Sequence, residues 1–475
     1  MFEILLSDLS GQPLYLQLYT QMRNHIRSGV IRNGTRLPSI RSLHQQLNIS
    51  KTPIETAFQM LLSEGYIVSK SRSGIFAVNP HENWPAFRPS IDLRQQGDVQ
   101  NPIPSQSIAA QDIRFDFKPA GVDNEMFPVR IWRKMINEAI ENHSADISKY
   151  GDTQGEYTLR AVLADYLRKS RGVVCSPEQV IIGSGIAYSI GLIVHLLKGI
   201  GRIAHEEPGY VQVREVFALN GFHMLPIPVG EKGISLEALE ASGAQAVYVT
   251  PSHQLPTGAV MPYSEREYLL EWARTADAYI IEDDYDGEFR YFGKPISSLQ
   301  SLDHYGRVIY MGTFSKAFTP AIRINYTILP IQLVQRLEEL QHILNAPSRV
   351  EQWAMTSLIE QGHWYRHVRK MRNTYQRKHQ RLLELIESHF SNKAKITGHS
   401  AGLHIRMELK THLPTEELLK MAAEYGVKVY DFRHSWINWV EPEYPEIYLG
   451  FAGISESAME EGILLLKKAW ARVWS

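Results

Sequence analysis

Val308-Ile-Tyr-Met-Gly-Thr-Phe-Ser-Lys316, running on to Arg323, joins a short apolar strand to a cluster of chemically capable ends. The apolar run from Val308 to Met311 breaks at Gly312 and delivers two hydroxyls and an amine. Thr313 and Ser315 can donate to a phosphate, Lys316 can form an imine with an aldehyde, and Arg323 supplies a forked, permanent cation. An amine and a phosphate clip this close together suit pyridoxal 5'-phosphate (PLP), which carries an aldehyde and a phosphate on one ring. From this stretch alone, a surface lysine after an ordinary strand reads the same way, so the case rests on the rest of the chain.

Working outward, three further apolar runs end in polar residues. Val180-Ile-Ile182 leads into Gly183-Ser184-Gly185-Ile186-Ala187, Ala246–Val249 leads into Pro251-Ser252-His253-Gln254-Leu255-Pro256-Thr257-Gly258, and Tyr279-Ile-Ile281 leads into Glu282-Asp283-Asp284-Tyr285. A helix with a capping box at Ser264–Glu267 separates the last two. Such alternation predicts an α/β body whose ligand lies beyond the carboxyl ends of the strands. The turn at Ser184, Gly185, Ile186 and Ala187 opens a helix whose free N–H groups suit a phosphate. Asp283 can hold a pyridine nitrogen protonated, Tyr285 can bond the ring hydroxyl, and Tyr210 can lie against the ring face. His253 and Gln254 are candidate neighbours of the ring.

At 475 residues, with 44% hydrophobic and 21% charged residues, the chain fits an ordinary globular protein of two or three domains. There is no apolar run long enough to span a bilayer and no signal peptide, and a single cysteine, Cys175, fits a cytoplasmic location. No pattern of metal ligands stands out. Net charge is −1, but residues 1–80 carry eight Lys/Arg against four Asp/Glu, so a basic head precedes an acidic body.

Within that head, Pro13 precedes Tyr15, Leu18, Tyr19, Met22 and Ile26 at helical spacing, and Gly29 stops the run. A second helix follows Ser39 and ends at Asn48; a third starts in Thr52-Pro53-Ile54-Glu55, read as a capping box, and ends at Gly65. Two strand-like runs, Tyr66–Ser69 and Ile75–Val78, flank the basic turn Lys70–Gly74. Three helices and a basic hairpin predict a winged helix-turn-helix. Residues 81–112 hold Pro85, Pro89, Pro102, Pro104 and five glutamines, and read as a linker. It is either an extended connector of roughly 30 Å or a segment packed along the body.

Leu37-Pro38-Ser39 with Arg41, then Ser50-Lys51-Thr52, and Leu62 with Glu64-Gly65-Tyr66 resemble the GntR-type DNA-binding domain. That resemblance implies DNA contacts from Arg36, Ser39, Arg41, Lys51, Thr52, Arg72 and Gly74. The body, residues 113–475, resembles the fold-type I aminotransferases through the Lys316-to-Arg323 spacing, the Asp-x-Tyr at 283–285 and the Pro-Thr-Gly at 256–258. Tyr150 matches a tyrosine that in that family reaches the phosphate of the partner subunit's cofactor, which implies a homodimer with shared sites. A GntR-type head on such a body is the plan of the MocR-type transcriptional regulators, and this resemblance spans essentially the whole chain.

Three functions fit that plan: a PLP-dependent regulator without productive turnover, an aminotransferase carrying a DNA-binding head, and a regulator that kept the fold and lost the cofactor. Lys316 argues against the third. Amino-acid sensors of this type keep an arginine just before the Leu-Gly-Phe-Ala run, where this chain has Tyr448, and GABA-sensing members carry a second where it has Gln212. Arg406 or Arg433 could substitute. With the clamp absent, the resemblance points to the MocR-type regulators that sense PLP itself and control its biosynthesis genes.

Overall fold

The computed structural model describes residues 4, 6, 12–70, 73–79, 113–291, 297–342 and 344–474. Arg72 of the wing and the 81–112 linker lie outside the described residues. The chain divides into two compact units, Met1–Gln106 and Ser107–Ser475.

In the first unit, helix α1 (Leu14–Arg27) buries Leu18, Tyr19, Met22 and Ile26 on one stripe. Helix α2 (Ile40–Leu47) is capped by the Ser39 hydroxyl, which accepts from the Ser42 N–H at 3.1 Å, and ends on Asn48 in the left-handed region. Helix α3 (Lys51–Ser63) starts earlier than the capping box at Thr52 predicts: Ser50 is the N-cap, and Pro53 sits inside the first turn, where its missing N–H costs no helical bond. Strands β1 (Ile67–Lys70) and β2 (Gly74–Ala77) pair antiparallel as the wing. Leu18, Met22, Ile26, Leu43, Ile54, Phe58, Leu61 and Ala77 form the core of the unit.

In the second unit, the short β3 (Phe115–Asp116) precedes the strands of a large sheet: β4 (Val180–Gly183), β5 (Arg202–Glu207), β6 (His223–Gly230), β7 (Gly233–Ile234), β8 (Ala246–Val249), β9 (Tyr279–Asp283), β10 (Val308–Thr313) and β11 (Asn325–Ile328). The spatial order is β4-β11-β10-β9-β8-β5-β6-β7. Pairings from β6 through β5, β8 and β9 to β10 are parallel, while β11 runs antiparallel to both β10 and β4. Strand β4 therefore points the same way as the parallel set. β4, β8 and nearly all of β9 and β10 are buried, as expected for strands covered on both faces. One face packs on Ile190, Ile193 and Phe217, the other on Leu239, Leu269 and Ala273. The helix over the second face spans Tyr263–Thr275 with Pro262 as its N-cap, so the capping box predicted at Ser264 lies inside the first turn. A three-stranded antiparallel sheet of β12 (Ala394–Thr397), β13 (His404–Leu409) and β15 (Glu446–Gly450) completes the unit; β14 (Val427–Lys428) pairs with β3.

Candidate functional site

Because β4, β8, β9 and β10 share a direction, the four polar termini singled out above meet at one edge of the sheet. They enclose a cavity of about 510 Å³ lined in part by Gly185, Ile186, Tyr210, Asp283, Tyr285, Thr313, Ser315, Lys316 and Arg323. The antiparallel β11 explains how Arg323 returns to that edge: the chain leaves β10, turns at Thr319–Ile322, and Arg323 takes a left-handed conformation (φ 51°) just before β11 begins.

The anion end is built around Gly185. Its φ of 131° favours glycine, and a methyl there would overlap the Arg323 guanidinium, which lies across this residue. Among the described residues no carboxylate pairs with Arg323. The Gly185 N–H donates to Asn325 Oδ1 at 3.0 Å and is therefore already used, leaving the N–H groups of Ile186 and Ala187 at the start of helix Ile186–Leu196 as open donors. Thr313 and Ser315 hydroxyls bond each other at 3.0 Å.

At the other end Asp283 is buried and accepts from the Tyr248 hydroxyl at 2.6 Å. Burial pushes its pKa up to about 7, against the opposing pull of Tyr248. Burial lowers the Lys316 pKa, with Asp286 opposing; the Lys316 amine donates to the Ala120 carbonyl at 3.2 Å. Tyr210 lines the cavity with its hydroxyl on Gln212 at 2.9 Å.

Other predicted residues fall elsewhere. Gln254 is buried with every polar atom engaged: its amide nitrogen donates to Glu206, Pro208 and Leu255, and its oxygen accepts from Thr257. His253 stands behind Tyr285 and not on the cavity wall. Ser184 and Ala187 flank the lining residues Gly185 and Ile186, and Tyr150 is fully exposed and does not line the cavity.

In the head, Arg36, Arg41, Lys51 and Thr52 are exposed, and Ser39 is occupied as the α2 cap. Arg36 bridges to Phe76 of the wing, and its side chain packs against Gly74, whose φ is 110°. The exposed cations thus stand beside the wing (Arg36), in the first turn of α2 (Arg41) and at the start of α3 (Lys51).

Comparison with known proteins places both units. Residues 121–461 match the class I and II aminotransferases, and residues 14–77 match the gntR family of bacterial regulatory proteins. The chain is 39% identical to the uncharacterized HTH-type transcriptional regulator YdeL of Bacillus subtilis strain 168, over 96% of this chain and 97% of that one. It is 32% identical to the probable rhizopine catabolism regulatory protein MocR of Rhizobium meliloti, over 96% and 94%. The chain belongs to the MocR-type transcriptional regulators. Another relative of this MocR-type chain is the pyridoxine biosynthesis regulator PdxR of Corynebacterium glutamicum, 30% identical over 88% of each chain. The body is similar to the crystal structure of a multiple substrate aminotransferase from Thermococcus profundus, with a TM-score of 0.69 and 25% identity, covering 77% of this chain and 93% of that one. Class I and II aminotransferases are PLP-dependent, and the gntR-type head implies DNA binding.

Several residues of this MocR-type site were not singled out from sequence. Tyr248 holds Asp283; Asn325, which also bonds Ser189 at 2.8 Å, fixes the Gly185 turn; and Asp286 is buried against His253. A hydroxyl-bearing residue inside an otherwise apolar strand was the available signal for Tyr248. Leu403, His404, Phe432, His434 and Ser435 come from the C-terminal part and complete the wall. His404 is held neutral by burial, its pKa lowered to about 3. Among the described residues there is no group of His, Cys, Asp or Glu that could hold a metal, and no helix long and apolar enough to cross a membrane.

Proposed function

We propose that this protein is a regulator that holds PLP as a Schiff base on Lys316, takes PLP itself as its signal, and controls PLP biosynthesis genes through the DNA-binding head. The chain's own residues fit the cofactor. Arg323, Thr313, Ser315 and the helix start at Ile186 offer a seat for the phosphate dianion. Asp283 can pair with a protonated ring nitrogen, Tyr210 can lie on the ring, and Tyr285 can reach its hydroxyl. Bound there, PLP would supply an aldehyde and an electron sink. The exposed Tyr150 is assigned to the partner's phosphate in a homodimer with shared sites.

One observation carries the choice of PLP over an amino acid. Among the described residues, the Lys and Arg side chains lining the cavity are Lys316 and Arg323 alone, and both have duties toward PLP. An incoming carboxylate would shed water without gaining a charged partner. The possible substitutes do not line the cavity: Arg406 bonds Thr397 at 2.7 Å and Glu446 at 3.2 Å, and Arg433 lies over the Trp439 ring, 5.4 Å from its centroid. Tyr448, at the clamp position, donates to Glu446 at 3.1 Å. The same lack of a clamp speaks against productive aminotransferase turnover. The second reading, an amino-acid sensor, is favoured by the extra wall of Gln212, Leu403, His404, Phe432, His434 and Ser435, which exceeds what PLP alone engages.

The test is a DNA-binding titration of the PLP-free protein with PLP, beside the PLP-loaded protein given alanine, glutamate or GABA. PLP is expected to shift operator affinity or footprint, because a ligand moves an equilibrium by its differential affinity for two states. The amino acids are expected to change neither footprint nor visible spectrum. A saturable spectral change with one of them, matched by altered DNA binding, overturns the proposal in favour of the sensor.

A further inference from the structure

We propose that Asp286 and His253 form a positioning pair that keeps Tyr285 a protonated, oriented donor toward the PLP ring hydroxyl; this rests on the PLP reading above. Asp286 and His253 are both buried, and His253 Nδ1 lies 2.8 Å from Asp286 Oδ2. That contact places the ring proton on Nδ1, donating to the carboxylate. The Tyr285 oxygen lies 3.0 Å from the same Nδ1, and its hydroxyl donates to the His253 carbonyl at 3.1 Å. One imidazole thus holds the phenol twice, through its ring and through its own backbone. The ring cannot drift: a side chain on Gly402, which has a positive φ, would overlap it, and the His404 ring stands 5.0 Å away, itself held by the Pro256 carbonyl.

The arrangement lets the phenol switch partners without moving its oxygen. With a ligand oxygen present, the hydroxyl turns from the His253 carbonyl to the ligand, and the phenol oxygen accepts a share of the Nδ1–H. The negative Asp286 behind it opposes ionisation of the phenol, which burial, Asp286, Asp283 and Glu206 together hold well above its ordinary range. Among the described residues Lys316 also faces this corner from the main cavity, Arg171, Arg266 and Arg290 line a small cavity with Asp286, and His404 is neutral. Asp286 also lines the cavity, so its charge acts directly as well. The experiment must separate that action from the one routed through Tyr285.

The experiment is a double-variant cycle of Asp286→Asn and Tyr285→Phe in the full-length protein, read by the PLP dissociation constant and by the pH midpoint of the visible band. Asp286→Asn alone is expected to weaken PLP by about fivefold, the worth of one ordinary hydrogen bond, and to move the midpoint. In the Tyr285→Phe background the same substitution is expected to change affinity by less than about twofold. Asp286→Glu, which keeps the charge and the acceptor, should restore most of the effect. If Asp286→Asn does not fold, His253→Gln breaks the pair from its other end and enters the same cycle. An undiminished effect in the Phe background, or none in the Tyr background, overturns the positioning role. Failure of the unsubstituted protein to bind PLP at all defeats the functional reading instead.

Discussion

Replacing Gly185 with alanine tests the anion seat most directly. Two separate costs follow from its geometry. With φ 131° and ψ 176°, Gly185 occupies backbone space nearly reserved for glycine, so a side chain there strains the fold by about 1–3 kcal/mol whether or not PLP is bound. The methyl also occupies the place of the Arg323 guanidinium, which must swing away. Losing one charge-assisted hydrogen bond to the phosphate costs about 1.5–3 kcal/mol, or about 10- to 150-fold in affinity. The two costs are read by different assays: thermal unfolding of the PLP-free protein reports the strain, and absorbance titration with PLP reports the displaced cation. Gly191, in the same helix with open space around its Cα, is the control. Gly191→Ala should leave PLP affinity unchanged and stabilise the helix by about 0.5–1 kcal/mol. PLP affinity of Gly185→Ala within threefold of the unsubstituted protein would refute the assignment of Arg323 to the phosphate.

Lys316→Ala should abolish the visible band and borohydride trapping without unfolding the chain, and a retained, reducible band would place the imine elsewhere. Arg41→Ala and Lys51→Ala should each weaken DNA binding and flatten its dependence on salt, by a slope of about 0.9 for each phosphate no longer neutralised; unchanged slopes would remove these side chains from the interface. Asp283, Glu206, Glu282 and Glu288 all have pKa values raised to about 7 by burial. Between the unfolded carboxyl range near 4 and pH 7 the folded PLP-free protein binds more protons than the unfolded chain, so its stability should fall as pH rises through this window. Asp283→Asn should make that decline shallower in calorimetric melts from pH 5 to 8, and an unaltered slope would contradict the assignment. Asp284, held below the usual range by Arg171 against its own desolvation, works in the opposite sense and only in acid.

The wing, the three head helices and four strands of the body were legible because apolar periodicity and strand-ending polar residues are local properties. Helix starts were less so. Ser50 and Thr52 are both good N-cap types, and only the extended backbone of Ser50 (φ −61°, ψ 162°) decides between them. Within the site, Lys316, Asp283 and Arg323 announce their chemistry by residue type and spacing. Asn325 does not, because its work depends on standing opposite Gly183 across two antiparallel strands. Asp286 shares a stretch with three other acids, and only burial beside His253 distinguishes it. Gln254 looked equivalent to His253 in sequence, yet its amide serves the turn that ends at Thr257.

Strand β11 has a consequence for how the protein is made. The seat for the anion lies between β4 and β11, so Gly185 near residue 180 must wait for Asn325 before its turn is fixed. During synthesis at about 5–20 residues per second, that interval lasts roughly 7–28 s, in which the ribosome-bound chain carries Ser184 to Ala187 with no partner strand. A phosphate-bearing ligand would therefore meet a fixed turn here only once β11 has left the exit tunnel and paired with β4.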